Sequence, residues 1–318
     1  MKIFLKMFGA LFFLISNCAS ANDSVARVGA GGLELLKTDN IQMVSEELEI
    51  SVSKIRVKYH FLNTSDKDIK TTVAFPMPAF EGERRVIGGE ENQRPLESFQ
   101  IRVNGNPVSV RKNRVFLIKN VDVTDKLRKA GLTDEQIFDP LSNCLGRYQI
   151  PSNDLTCNIT DKNLSVIKSL PKDGPWQIQE TAIWEQRFPA GKEIEVTHEY
   201  QPFVSSGANI YGSGEWELKR LKERGTQACL DEQTLKALLR KRAIKVPLYS
   251  QEVEYILGTG RNWSGPIKQF KLIIRKAAPD EIVSLCFPGN ATKTSPTTLE
   301  FTQTDYVPQD RLVVFFYH

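Results

Sequence analysis

Residues 55–78 read Ile55-Arg56-Val57-Lys58-Tyr59-His60-Phe61-Leu62-Asn63, then Thr64-Ser65-Asp66-Lys67-Asp68, then Ile69-Lys70-Thr71-Thr72-Val73-Ala74-Phe75-Pro76-Met77-Pro78. Ile55, Val57, Tyr59 and Phe61 alternate with Arg56, Lys58 and His60. A period of two places one face on a core and the other in water, as in a half-buried strand. The following residues are turn formers. Thr71 to Phe75 is again β-prone and is stopped by Pro76 and Pro78. Strand, polar turn and returning strand predict an antiparallel hairpin at the start of a β-sandwich.

The rest of the chain repeats this grammar. Ile101-Arg102-Val103, Asn104-Gly105 and Val108-Ser109-Val110 predict a second hairpin, since Asn-Gly supplies the positive φ angles of a type I′ turn. Val115 to Val121 and Thr181 to Phe188 read as strands. Pro189-Ala190-Gly191 turns the chain into an alternating run with Ile194, Val196, His198 and Tyr200 on one face and Glu193, Glu195 and Glu199 on the other. Further strands are expected at Glu252–Leu257, Phe270–Arg275, Ile282–Phe287, Thr298–Thr302 and Leu312–Tyr317. Short helices are expected at Lys126–Ala130, Asp134–Phe138 and Leu164–Leu170, and a longer one over 231–244 with Asp231 as N-cap. The strands are short and not separated by regular helices, which predicts a mainly β chain of two antiparallel sandwich-like modules with helical insertions. The expected modules are residues 22–204, with an insertion over about 124–175, and residues 205–318, the Gly/Ser-rich stretch from Ser205 to Gly214 marking the boundary.

The first 21 residues have the form of a cleaved leader. Lys2 and Lys6 precede the apolar run from Met7 to Ile15, and Ala19-Ser20-Ala21 is a small-x-small cleavage site. The apolar run is far short of the roughly 20 residues that span a bilayer. The chain is therefore expected in the periplasm, with no transmembrane span after cleavage. Removing the leader leaves 40 basic and 38 acidic residues, a balance that argues against a nucleic-acid partner. Four cysteines remain, Cys144, Cys157, Cys229 and Cys286. An even count in an exported chain reads as two disulfides. Three connectivities are open; pairing neighbours within one stretch gives Cys144–Cys157 and Cys229–Cys286, with loop closures contributing roughly 3 and roughly 4 kcal/mol.

Eight segments in order carry a resemblance: Asn22-Asp23-Ser24, Gly31-Gly32-Leu33, Ser45-Glu46-Glu47-Leu48, Val73-Ala74-Phe75-Pro76-Met77-Pro78, Phe188-Pro189-Ala190-Gly191, Cys229-Leu230-Asp231, Thr259-Gly260-Arg261-Asn262-Trp263 and Ser295-Pro296-Thr297-Thr298. Together they resemble the bacterial exported family called domain of unknown function 4424, over nearly the whole mature chain. The resemblance implies a Gram-negative, periplasmic protein with no assigned activity and no catalytic residues to carry over. More loosely, the strand ending in Asn63, the Phe75-Pro76-Met77-Pro78 segment and the Pro189-Ala190-Gly191 turn are similar to the vault/inter-α-trypsin domain, a β-sandwich interaction module.

Chemistry-bearing motifs are sparse. The glycines at 29, 31 and 32 do not make G-x-G-x-x-G, because Glu34 stands at the last position. His60 lies on the polar side of its strand, His318 is the last residue, and His198, on an apolar face, reads as a packed strand residue. No nucleophile elbow, zinc motif or P-loop is present, so neither a metal nor a cofactor is expected. A carboxylate pair leaves no motif; Glu180, Glu185, Glu193, Glu195 and Glu199 cluster in sequence, but the last three are a solvated strand face. The expected function is a non-enzymatic envelope module that binds a protein, peptide or glycan; the alternative is a carboxylate-dependent hydrolase of an envelope polymer. The candidate binding loop is Gly258 to Pro266, which sets Arg261, Asn262 and Trp263 in a Gly/Pro-rich turn. There Trp263 either offers its face to a partner or folds back to cover a core edge.

Overall fold

The structure, a computed structural model, describes residues 23–29, 32–81, 95–119, 121–138, 165–166, 169–170, 176–210, 228–244 and 248–318. The strands are β1 (Ser24–Gly29), β2 (Gly32–Leu36), β3 (Ile41–Ile50), β4 (Ile55–Asn63), β5 (Ile69–Pro76), β6 (Phe80–Glu81), β7 (Gln100–Val103), β8 (Asn106–Pro107), β9 (Arg111–Ile118) and β10 (Val121–Asp122). They continue as β11 (Trp176–Phe188), β12 (Glu193–Tyr200), β13 (Val204–Ile210), β14 (Leu248–Ile256), β15 (Ile267–Arg275), β16 (Ile282–Leu285), β17 (Thr292–Ser295), β18 (Thr298–Tyr306) and β19 (Arg311–Tyr317). They form three sheets of a β-sandwich-like fold. Sheet A runs β10-β9-β11-β5-β1-β2, with β6 beside β11. Sheet B runs β17-β18-β15-β3-β4-β12-β7-β8, and sheet C runs β13-β14-β19-β16.

β4 takes the predicted register: Ile55, Val57, Tyr59 and Phe61 are buried, and Arg56 and Lys58 are exposed. The predicted hairpin is corrected. β4 pairs with β3 and β12 in sheet B, whereas β5 pairs with β1 and β11 in sheet A. The chain arches from one sheet to the other because the apolar faces of both strands bury into the same core. Asn63 holds the arch: its amide donates to the carbonyls of Lys67 (2.8 Å) and Phe188 (2.9 Å), and its side-chain oxygen accepts from the Ser65 N–H. The Pro189–Gly191 turn is a second arch beside it, joining β11 of sheet A to β12 of sheet B. The Gly191 N–H donates to the Ser65 carbonyl, and the Ala190 N–H to the Asp68 carboxylate. The Asn-Gly turn has the expected positive φ at Asn104 (48°) and Gly105 (79°), but the returning strand is only Asn106–Pro107.

One apolar cluster draws on all three sheets. Sheet B contributes Leu48, Tyr59, Phe61 and Leu272, sheet A contributes Val73, Phe75, Ala182 and Trp184, and sheet C contributes Val253, Tyr255, Val314 and Phe316. The residues on either side of position 204 thus share a core. They also share a sheet, because β15 pairs in parallel with β3, alone among the strand pairings of the described residues in that direction. Helices Thr124–Lys129 and Asp134–Phe138 pack Leu127, Ile137 and Phe138 against Phe116 and Ile178 of sheet A. Within the expected Leu164–Leu170 helix, only Ser165 and Val166 are described as helical. The longer helix, Glu232–Ile244, covers one end of the outer face of sheet C through Leu238, Leu248, Phe315 and Tyr317. Asp231 caps it, accepting the Thr234 N–H at 2.6 Å, and that bond holds the Asp231 carboxyl below its ordinary range. The Cys229–Cys286 disulfide ties the approach to this helix to the end of β16. Cys144 and Cys157 lie outside the described residues.

Candidate functional site

The Gly258–Pro266 loop is the first place to look. Gly258–Asn262 forms a 3-10 turn. Arg261 donates to the Pro308 carbonyl at 2.7 Å and pairs with Asp310. Asn262 donates to Ser24 Oγ at 2.9 Å. Of the two placements open to Trp263, the structure has the one that folds back onto the core: it is 3% exposed, with its ring centroid 4.5 Å from that of Phe61 and 6.1 Å from that of Phe188. Its Nε1–H donates to the Asp23 carbonyl at 2.7 Å, so both its apolar face and its polar tip are satisfied internally. The three residues are brought together, but Asn262 and Trp263 bind the chain's own first strand. Arg261 is the most open of the three, with 38% of its side chain in solvent.

Beneath this loop lies a buried polar knot. Asp23 and His198 face each other across 3.3 Å, both almost wholly buried. Rings of Tyr59, Phe75, Phe99 and Trp184 surround the imidazole at 5.0–5.4 Å. The Tyr59 and Tyr255 hydroxyls meet at 3.0 Å, and Glu46 is buried nearby on the core side of β3. Burial raises the Asp23 carboxyl above its ordinary value, opposed by the charge of His198 and a hydrogen bond from it. Burial likewise pushes Tyr59 and Tyr255 far above the usual phenol range. Asp23, His198, Tyr59 and Tyr255 are all buried, so this cluster serves to order the core.

The open site is elsewhere. A cleft of about 230 Å³ lies where the three sheets meet. One wall is the strand exit Met77-Pro78-Ala79-Phe80 together with Gln177 and Glu180 of β11. The floor is Tyr200, at the end of β12, with Pro202 and Phe203. The far wall is the outer face of sheet C: Glu252 and Glu254 of β14 and Arg311 and Val313 of β19. The alternation of β14 turns Val253 and Tyr255 into the core and leaves Glu252 and Glu254 outside. The Glu232–Ile244 helix seals one end of this face, and Val313 borders both the sealed and the open parts. Among the described residues, the cleft is therefore the uncovered half of a sheet.

Its charges are ordered. Glu180 is 2% exposed; its Oε1 accepts from Arg114 Nε at 2.9 Å and its Oε2 from the Leu96 N–H at 3.2 Å. Glu254 accepts from Arg311 at 2.8 Å. Phe80 and Phe203 stack with centroids 5.2 Å apart, making an apolar shelf. A more open depression of about 480 Å³ spans β3, β4, β15 and β18. Its polar groups are paired across the strands, Lys58 and Lys271 with the carboxylates of Glu195 and Glu300, and the His60 ring with Glu193 by a hydrogen bond, the pattern of a solvated sheet face. Among the described residues, no group of three or more His, Cys, Asp or Glu side chains is placed to hold a metal ion.

Of the cleft residues, the sequence singles out Glu180, as one of a run of carboxylates, and offers no site that joins it to Phe203, Glu252, Glu254 or Arg311. The alternation Glu252-Val253-Glu254-Tyr255 does announce an outward acidic face. The meeting of Pro78, Phe203 and Arg311 depends on three sheets converging, for which the sequence has no local signal.

No curated protein matches the chain. Among solved structures, it is similar to a crystal structure from Legionella pneumophila subsp. pneumophila of a protein provisionally described as nutrient-binding, at 14% identity and a TM-score of 0.46, covering 93% of this chain and 70% of that one. A family model matches residues 21–315, and the chain accordingly belongs to the family described as domain of unknown function DUF4424.

Proposed function

We propose that this protein is an exported, non-catalytic envelope module that holds a protein, peptide or glycan partner in the three-sheet cleft. The observation that carries the reading is the part of sheet C left uncovered among the described residues, where an apolar shelf and a set of fixed polar groups converge in a concavity. The leader-like start and the Cys229–Cys286 disulfide support export to an oxidising compartment. No helix among the described residues is long and apolar enough to cross a membrane.

The hydrolase reading is kept because three carboxylates, Glu180, Glu252 and Glu254, line one cleft. Hydrolysis of a glycoside needs one carboxyl that holds a proton as general acid. Glu180 accepts hydrogen bonds on both oxygens, one from a guanidinium, and Glu254 faces Arg311. Both carboxyls are thus already engaged by the protein's own donors, and binding is the better reading.

The test is crosslinking capture from envelope extracts with the wild type and Phe203→Ala, each checked for an unchanged fold by thermal melting. Loss of a specific captured species in the variant is expected. Equal capture by both proteins would remove the cleft from the account.

A further inference from the structure

The depression on the outer face of sheet B is separate from the cleft, and its side chains are laid out in a regular way. At about 480 Å³ it falls within the roughly 300–1,000 Å³ usual for ligand sites. Its lining lies wholly within the continuously described stretches 32–81 and 248–318. Strand pairing sets the outward side chains in two rows. Thr304 of β18 faces Gln269 of β15, Gln269 faces Ser45 of β3, and Ser45 faces His60 of β4. The second row, over the same four strands, runs Thr302, Lys271, Glu47 and Lys58. A bulge between Met43 and Ser45 bends β3 at this point, and with the short Ser45 side chain it accounts for the hollow.

The cations of the second row are already matched, Lys58 by Glu195 at 3.3 Å and Lys271 by Glu300 at 2.9 Å, and Glu47 lies between the two lysines across the strands. The hydroxyls and the amide are not spent in this way. Among the described residues, the side chains of Ser45, Gln269, Thr302 and Thr304 have no hydrogen-bond partner. Neither row holds a large apolar side chain, so the face lacks the apolar centre of a protein interface. We propose that it binds a neutral glycan of extended, β-1,4-linked pyranose units, laid across the strands along the row from Thr304 to His60. Three strand spacings of about 4.8 Å make that row roughly 14 Å long. The repeat of such a glycan is close to one strand spacing, so successive rings meet successive polar side chains. Sugar hydroxyls both donate and accept, as Ser, Thr and Gln side chains do, and a neutral chain brings no charge to be desolvated. An α-1,4-linked chain coils and loses the registry.

The test titrates the mature chain with three soluble hexasaccharides, cellohexaose and chitohexaose, which are β-1,4-linked, and maltohexaose, which is α-1,4-linked. Saturable binding of at least one β-linked probe, about ten-fold tighter than that of maltohexaose, is expected. Because no charge is used, about 0.5 M salt should leave it unchanged. Gln269→Ala combined with Thr304→Val, both at exposed positions and checked for an unchanged melting temperature, should weaken it about ten-fold. Ser45→Arg, which fills the hollow from its floor, is the second variant and should abolish it. Failure of both β-linked probes to bind would overturn the proposal, as would maltohexaose binding equally well. Undiminished binding by the double variant and by Ser45→Arg would place the sugar elsewhere on the molecule and overturn it too.

Discussion

Two regions of this molecule use the same residue types to opposite ends. The loop at 258–263 and the strand it clamps bring together Trp263, Asn262, Asp23 and His198. The cleft brings together Phe203, Tyr200, Glu252, Glu254 and Arg311. In the first, the indole N–H, the Asn262 amide and the Asp23 carboxylate all face inward, and the aromatic faces are filled by Phe61 and Phe188. In the second, the carboxylates stand on the outer face of a sheet that the described residues cover only in part. Trp, Arg and Asn in a glycine-rich turn are the composition of a recognition surface, yet here Trp263 and Asn262 hold Asp23 and Ser24, and Arg261 holds Pro308 and Asp310, all of the same chain. Composition proposes a contact; only topology says whether the partner is internal.

The largest expected effect breaks the closed region. Trp263→Ala removes a buried ring and strands the Asp23 carbonyl, and should cost about 3–5 kcal/mol in chemical denaturation. A loss under about 1 kcal/mol would place Trp263 on the surface instead. Next comes the tether of the helix that bounds the cleft. Replacing Cys229 and Cys286 by serine reopens a loop of 57 residues and should cost about 4 kcal/mol in the chain-entropy model. Unchanged stability, or intact mass showing both thiols free in the wild type, would rule the tether out. A smaller effect is expected at the helix start, where Asp231→Ala should cost about 1 kcal/mol. Because the capping bond depresses the Asp231 carboxyl, its contribution is present at neutral pH and is lost as the pH falls below the ordinary carboxylate range. A constant difference between wild type and variant from pH about 7 to about 2 would contradict the cap.

The sign is opposite at Asp23. Its carboxyl is raised by burial, so the folded state holds the proton more tightly than the unfolded chain does. That contribution to stability is full below the ordinary value near 3.8 and is lost as pH rises through the raised one. Relative to Asp23→Asn, the wild type should therefore lose stability on going from pH about 4 to about 7. A gain over the same range would mean that His198, not burial, governs this carboxylate.

The sequence makes the strands legible and hides their partners. Alternation at Ile55–Phe61 and Glu193–Tyr200 identifies the core faces, because a period of two is a local property. The same alternation cannot distinguish a hairpin from an arch, since both put the apolar face inward. Asn63 is what separates the cases: its amide is used up by Lys67 and Phe188, a carbonyl more than 120 residues away. His198 is legible as a packed residue from its place on an apolar face, but its partner, Asp23, sits at the far end of the chain and has no spacing to betray it. The cleft is least legible, for each of its walls is an ordinary strand end and only their convergence makes a site.

The most direct test of the contrast is site-specific photocrosslinking in the intact cell envelope, with benzoylphenylalanine placed at Phe203 in one variant and at Arg261 in another. Both side chains are partly exposed, so both can report a neighbour. Position 203 should yield a specific crosslinked partner and position 261 none. A partner at 261 with nothing at 203 would return the recognition surface to the loop and leave the cleft without a role.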